Sequence, residues 1–475
     1  MNLRALLWSA RDGLWLMPWA IVEGLTLRTD PFGLTEEGAK ALLLAWSVGD
    51  QVASTAFILG APDIRGILFL PLGFLWPGQL LAAKVVTLLT MAGAGAALYR
   101  WRRRDDQEEA ALLATGLLMI APLTVLGVNA LSAAPFLLAI CAAASWLNRK
   151  LGSVPATFGG WFFAQLLLCA AAVSLHPAGL AYPAMLFFTW WASPPDQRHR
   201  RHFMAGIPLV VLLVLTMRLG WPGVAWAQNP LASAAAVIGA PRAHAALSGA
   251  DWLVGGALLA MTAAVAWREH RRLLADLTGG TLFLGVLFGA AAADRTWAAL
   301  MLALLLYAGL PWLLRACAPL AGHGLILQRG WLWLLLLLIC TAFMRINQRD
   351  YLAGRHRILS DQDQLISDFT EGVNRLRAGD ANGGGTPNQA IVVASPWPAR
   401  TSIACKCDGL PLPPAARDPL SQLAMMRGVG YVILGDDADT LALANNFAQL
   451  GSRIEVLSRE PGGAVMRFRP PRADL

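Results

Sequence analysis

The chain has 475 residues, 56% of them apolar and only 14% charged, with a formal net charge of +8 and 19 Trp. A soluble globular chain carries about 25% charged residues, so this composition excludes an ordinary soluble enzyme over most of the length. It also argues against a nucleic-acid binder, because no basic run lies on a stretch that reads as soluble.

A bilayer core of about 30 Å needs about 20 apolar residues per helix. Apolar segments at 13–27, 80–99, 110–128, 134–147, 158–175, 178–192, 203–219, 252–267, 279–293, 297–314 and 331–344 predict about eleven spans. The expected fold class is mainly α: a polytopic membrane domain over 1–345, a helix and Gly-rich linker over 346–388, and a small soluble α/β domain over 389–475. The first segment contains Glu23. An acid inside a membrane is costly and defaults to function, whereas in a shifted helix it is interfacial.

Basic runs stand at 100–104, 149–150, 198–201 and 268–272, with Arg315 and Arg329 further on. They alternate with charge-poor loops at 128–133, 176–177 and 290–295. Lys and Arg are retained on the cytoplasmic side. The expected N-terminus is therefore cytoplasmic, and the C-terminal domain lies outside. No small-residue cleavage site follows the first apolar run, so it reads as an uncleaved anchor. An Ala-, Gly-, Leu- and Arg-heavy composition with only four Lys points to a GC-rich bacterium. The expected location is then the bacterial inner membrane, multi-pass, with a periplasmic C-terminal domain.

The loop after the first span, 30–78, carries the early acid-rich cluster. Residues 36–48 predict a helix with Ala39, Leu42, Leu43 and Trp46 on one side. Thr35 stands at its N-cap with Gly38 three residues on. Glu36 and Glu37 open it, where the helix dipole favours an ionised carboxylate suited to a general base. A second short segment, 52–59, follows, then Ala61-Pro62-Asp63-Ile64-Arg65-Gly66 and an apolar stretch broken by Pro71 and Pro77. Two such surface helices are expected to roof an outward-facing cavity.

Cys141, Cys169, Cys317 and Cys340 fall in or beside spans, where Cys behaves as a small hydrophobe. Cys405 and Cys407 form a C-x-C in the expected exported domain. A disulfide and two thiols are both compatible with that spacing. Zinc needs more ligands than Asp408 adds.

In the tail, apolar residues at helical spacing over 350–377 predict a helix, followed by a Gly-rich stretch at 378–388. Residues 389–394 and 430–435 read as buried strands, 418–427 and 438–451 as helices, and 453–459 with 463–468 as a closing strand pair. Asp418 suits an N-cap, with Pro419 at the first helical position. No G-x-G-x-x-G and no phosphate loop is present, which gives no reason to expect a nucleotide site.

The order of features over 30–90 resembles a known family. An acidic pair opens a surface helix (Glu36-Glu37), a Gly-Asp follows (Gly49-Asp50), then Pro62-Asp63 and Leu70-Pro71-Leu72, then Lys84 in Ala82-Ala83-Lys84-Val85-Val86. This is similar to the GT-C integral-membrane glycosyltransferases that use polyprenyl-phosphate sugars, the dolichyl-phosphate-mannose and aminoarabinose transferase type. The resemblance implies a GT-C-like transmembrane domain. It also implies transfer of a sugar from a polyprenyl-phosphate donor to a glycan, lipid or protein acceptor on the outer face. By position it makes Glu36 and Glu37 catalytic candidates, with Asp30 competing, and Lys84 a contact of the lipid phosphate. His176-Pro177-Ala178-Gly179-Leu180 matches the family's basic-Pro-x-Gly-Leu. Arg65 and His176 join Lys84 as substrate-binding candidates near an anionic leaving group. The second acid carried by many members, before a Pro in the second outer loop, is missing from 129–135.

No cofactor follows from this reading; a divalent metal fits the chemistry but no ligand set indicates one. The implied partners are the lipid bilayer, the donor and an acceptor, with no nucleic acid. Each site candidate also has a plain structural reading. Glu36 and Glu37 suit a solvated helix start, Lys84 a snorkelling lysine, His176 a loop residue before Pro177, and Arg65 an ion pair with Asp63. A non-catalytic partner of the same architecture and a transporter or flippase of a lipid-linked substrate are the alternative functions. No internal repeat supports a transporter.

Overall fold

A computed structural model describes residues 17–50, 64–103, 108–153, 160–192, 249–290, 294–312, 361–383, 391–436, 438–460 and 463–468. Helices α1 (Met17–Gly24), α2 (Glu36–Asp50), α3 (Ile64–Leu75) and α4 (Leu80–Arg103) come first. Then follow α5 (Glu108–Ile120), α6 (Pro122–Asn129), α7 (Ala134–Ser153) and α8 (Gly160–Leu175). A 3-10 turn at Pro177–Leu180 leads into α9 (Ala181–Trp191). Next are α10 (Gly249–Leu274), α11 (Leu277–Gly289) and α12 (Arg295–Leu304), which continues through a π turn at Leu305–Gly309. The last part runs α13 (Asp361–Gly383), β1 (Val392–Ser395), α14 (Pro398–Cys405), β2 (Asp408–Pro411), α15 (Pro419–Met425), β3 (Tyr431–Leu434), α16 (Ala438–Gln449), β4 (Ile454–Glu460) and β5 (Gly463–Phe468).

The described residues are mostly helical with a C-terminal sheet, and among them the expected count of about eleven spans is not borne out. Among the described residues two helices, Leu80–Arg103 and Arg295–Trp312, are long and apolar enough to cross a membrane. A third span results if the bent pair Ala110–Ile120 and Leu123–Asn129 is counted as one. Several other apolar helices are too short. Phe163–Leu175 and Leu277–Gly289 have 10–17 residues, and a helix gains only about 1.5 Å per residue against a core of about 30 Å. Prolines explain two of the breaks. Ala121 is extended (ψ 135°) before Pro122, and His176 is extended (φ −170°, ψ 150°) before Pro177. A proline disfavours the helical conformation of the residue before it. The segments 203–219, 331–344 and 52–59 lie outside the described residues.

The chain divides into two compact units, Met1–Arg28 with Lys84–Arg349 and Thr29–Ala83 with Asp350–Leu475. In the first, α11 packs on α9, α10 and α12. Its interior holds polar pairs: Gln165 donates to the Tyr182 hydroxyl at 3.0 Å, and Thr115 and Tyr307 share a hydrogen bond. The Trp297 indole N–H donates to the Val286 carbonyl at 2.9 Å. On α4 the polarity is inverted. Leu81, Val85 and Leu89 are exposed (41%, 39% and 63%), while Lys84 and Thr87 are fully buried.

In the second unit the sheet order is β2-β1-β3-β5-β4. Strand β1 runs parallel to β2 and β3, and β5 is antiparallel to β3 and β4. One apolar cluster joins Leu365, Phe369 and Val373 of α13 to Val393, Tyr431, Ile433 and Val465. A second joins Leu443 and Phe447 of α16 to Ala394, Val432, Leu434 and Met466. Most of the expected tail elements are present. The Asp418 cap is present too, its carboxylate accepting the Ser421 N–H at 2.9 Å. Helix α14 and strand β2 have no counterpart in the sequence reading; both are short, and Pro398 opens α14. Helix α2 starts where Thr35 predicts, with the Gly38 N–H donating to its hydroxyl at 3.1 Å. It packs on α3 so closely that a Cβ on Gly73 would meet the Ala45 carbonyl.

Candidate functional site

In the second unit the acidic stretch before and inside α2 meets the start of α14. The half-buried Glu36 side chain accepts the backbone N–H of Ala399 through Oε1 at 2.9 Å and that of Arg400 through Oε2 at 3.2 Å. These are orphan donors of the first turn of α14, and a carboxylate there satisfies both the hydrogen bonds and the dipole. Burial raises the Glu36 carboxyl above its ordinary value, against the lowering effect of the two amides and Lys40. Beside it, Arg400 forms a short, buried ion pair with Asp363 and donates to Gln362 at 3.1 Å. The Gly33 N–H donates to Asp363 at 3.2 Å, so the loop before α2 is also fastened to α13.

The other two carboxylates differ from Glu36. Asp30 is half-buried and accepts the Phe32 N–H at 3.2 Å, an Asx turn that fixes its side chain. Glu37 is exposed. Arg65, on α3, is only 2% exposed.

In the first unit Lys84 is buried, and its ammonium donates to the Arg28 carbonyl at 2.8 Å. The Arg28 N–H donates in turn to Asn129 Oδ1 at 2.8 Å, and Asn129 Nδ2 reaches the carbonyls of Thr26 (3.3 Å) and Val125 (3.0 Å). Asn129 thus ties down the chain after α1. Glu23 is buried, and neither carboxylate oxygen has a hydrogen-bond partner among the described residues.

His176 belongs to a separate group. Its Nδ1 accepts the Ala178 N–H at 3.1 Å, so the proton is on Nε2, which lies 3.1 Å from Asp294 Oδ2. Asp294 also caps α12, accepting the Trp297 N–H at 2.8 Å. Burial pushes the Asp294 carboxyl up, but hydrogen bonds from His176, Trp297 and Thr296 outweigh it and hold it below its ordinary value.

Four residues of these groups escape the sequence reading. Asp294 carries a local signal, an acid three residues before Trp297 at a helix start. Asn129 has no special mark. Asp363 and Arg400 are 37 residues apart, with no pattern joining them. Among the described residues no three His, Cys, Asp or Glu side chains gather as a metal site requires. A disulfide joins Cys405 and Cys407, which decides between the two states left open above.

Compared with known proteins, the chain matches no family model, and no curated protein is similar to it.

Proposed function

We propose that this is a membrane-embedded glycosyltransferase that moves a sugar from a polyprenyl-phosphate donor to an acceptor on the outer face of a bacterial inner membrane. The observation that carries the reading is the inverted polarity of α4, with Leu81, Val85 and Leu89 outward and Lys84 and Thr87 sealed inside. Apolar side chains turned outward in a regular stripe suit lipid rather than water. The Cys405–Cys407 disulfide suits an oxidising compartment for the C-terminal part of the chain.

Within this reading Asp30 is the general base. Among the three carboxylates suggested by the first loop, Glu36 is engaged at the α14 N-terminus and Glu37 is exposed, while Asp30 is held in an Asx turn. A fixed carboxylate meets the acceptor hydroxyl without first being ordered. Glu36 acts as a positioning residue. Lys84 and Arg65 are sealed, so they position the chain rather than touch the donor phosphate. Sugar transfer from a polyprenyl-phosphate donor to candidate acceptors, measured with purified protein in liposomes, tests the reading.

A non-catalytic partner of the same architecture is the second reading. It is favoured by one observation: Glu36, Lys84 and His176 each have an internal hydrogen-bond partner of ordinary structural kind. Absence of transfer with every donor and acceptor tried would leave this reading standing.

A further inference from the structure

Helix α14 is tied at both ends. Its first turn is capped by Glu36, and its last residue, Cys405, is bonded to Cys407, which directly precedes β2. The bond encloses one residue, Lys406, which is exposed and sits in the left-handed region (φ 51°). A disulfide stabilises a fold mainly by closing a long loop of the unfolded chain, and this one closes a loop with a single residue inside it. Its contribution to holding the domain together is therefore small, and its two sulfurs differ in access. Cys405 is 1% exposed, inside the cluster of Val393, Phe369 and Tyr431, whereas Cys407 is only partly buried.

We propose that Cys405–Cys407 is a thiol–disulfide exchange site that takes a dithiol reductant of the thioredoxin-like class as its partner. The reductant's thiolate attacks Cys407 Sγ, the accessible sulfur. The Cys405–Cys407 bond breaks, and its electron pair leaves on Cys405 Sγ, which takes a proton from water. The reductant's second thiolate then attacks its own sulfur in the mixed disulfide. This releases Cys407 as a thiol and leaves the reductant as a disulfide, so two electrons have passed to the protein. Reduction unlinks the C-terminal end of α14 from the residue before β2, and the other end of that helix is the one capped by Glu36. The site thereby links redox state to the anchoring of the loop that carries the acidic stretch. The proposal stands independently of sugar transfer.

The test uses the full chain in detergent at neutral pH, oxidised and folded, equilibrated in glutathione redox buffers while folded, quenched with acid, and only then unfolded, alkylated and mapped by mass spectrometry, so that the buried Cys405 is read as well. The expected result is labelling of both Cys405 and Cys407 that rises from none to complete as the buffer becomes reducing, while the protein stays folded. Cys405→Ser should trap glutathione on Cys407. If the pair stays unlabelled in the folded wild-type protein under buffer that reduces it in the urea-unfolded chain, the exchange site is refuted. Trapping on Cys405 in Cys407→Ser with none on Cys407 in Cys405→Ser would overturn the assigned order of attack. Wild-type labelling alone decides the main point should either variant fail to fold.

Discussion

The Glu36 carboxylate accepts the Arg400 backbone N–H at 3.2 Å, across 364 residues of chain. One residue of the acidic pair that reads as catalytic in the sequence is thus the cap of a helix in the C-terminal domain. Glu36→Ala should remove that cap and destabilise the protein by about 1 kcal/mol, with a range of about 0.5–2. Glu36→Gln keeps an acceptor for one of the two amides and should cost less. Denaturant melts of the two variants beside wild type check the order; an equal loss in both would mean that charge, not acceptor geometry, holds the contact.

The same residue predicts a pH dependence. Burial raises its carboxyl above the ordinary value of 4.5. Between 4.5 and that raised value the folded protein holds a proton that the unfolded chain has released. The proton-linked part of the Glu36 contribution is therefore present at low pH and is lost as pH rises through the folded value, while the bonds to the Ala399 and Arg400 N–H groups remain. A stability-against-pH curve for Glu36→Gln should lack this fall. An identical slope in wild type and variant would contradict the burial assigned to Glu36.

The His176–Asp294 pair predicts the opposite sign. The Asp294 carboxyl is held below its ordinary value of 3.8, so its stabilisation is present above that pH and is lost as pH falls through the lowered value. His176→Asn keeps an acceptor for the Ala178 N–H but removes the bond to Asp294. Asp294→Asn keeps a good helix cap. In a double-mutant cycle the two should couple by about 0.5–3 kcal/mol, as residues sharing one hydrogen bond do. Additive losses would place the two side chains out of contact.

Much of the local structure was legible in the sequence. Thr35 with Gly38, and Asp418 with Pro419, mark helix starts through the spacing of one acceptor to a nearby N–H. The span count was not legible. Apolar composition reports what surrounds a segment, not whether one helix runs through it, and Pro122 interrupts a run, 110–128, that reads as continuous. The roles of Glu36 and Lys84 were hidden for another reason. Their partners, Ala399 and the Arg28 carbonyl, are backbone groups 363 and 56 residues away. Any residue type offers a backbone N–H or carbonyl, so the sequence carries no mark of them.

Lys84 is a further test of position against contact. Its ammonium fixes the Arg28 carbonyl from a fully buried site. Lys84→Met keeps the stem and removes the donor to the part-buried Arg28 carbonyl. The expected loss is about 1–3 kcal/mol of stability. Any loss of transfer should follow the loss of folded protein, with the Michaelis constant for the donor unchanged. A raised donor constant at full stability would instead make Lys84 a phosphate contact.

The outward face of α4 tests the membrane itself. Leu89 is 63% exposed, so Leu89→Arg would place a charge against lipid. The cost there is about 2.5–3.5 kcal/mol on insertion scales. Membrane-inserted yield should fall sharply, whereas the same change on a water-facing helix would leave yield unaltered or improved.

Single-turnover transfer from a polyprenyl-phosphate sugar in liposomes tests sugar transfer with Asp30 as the proposed base. The wild-type chain should transfer. Asp30→Asn should slow the chemical step by about 10²–10⁴-fold, the usual worth of a general base, while the folded fraction stays the same. Glu37→Gln should be close to wild type. No transfer by the wild-type chain with any donor, or equal rates in wild type and Asp30→Asn, would contradict the account.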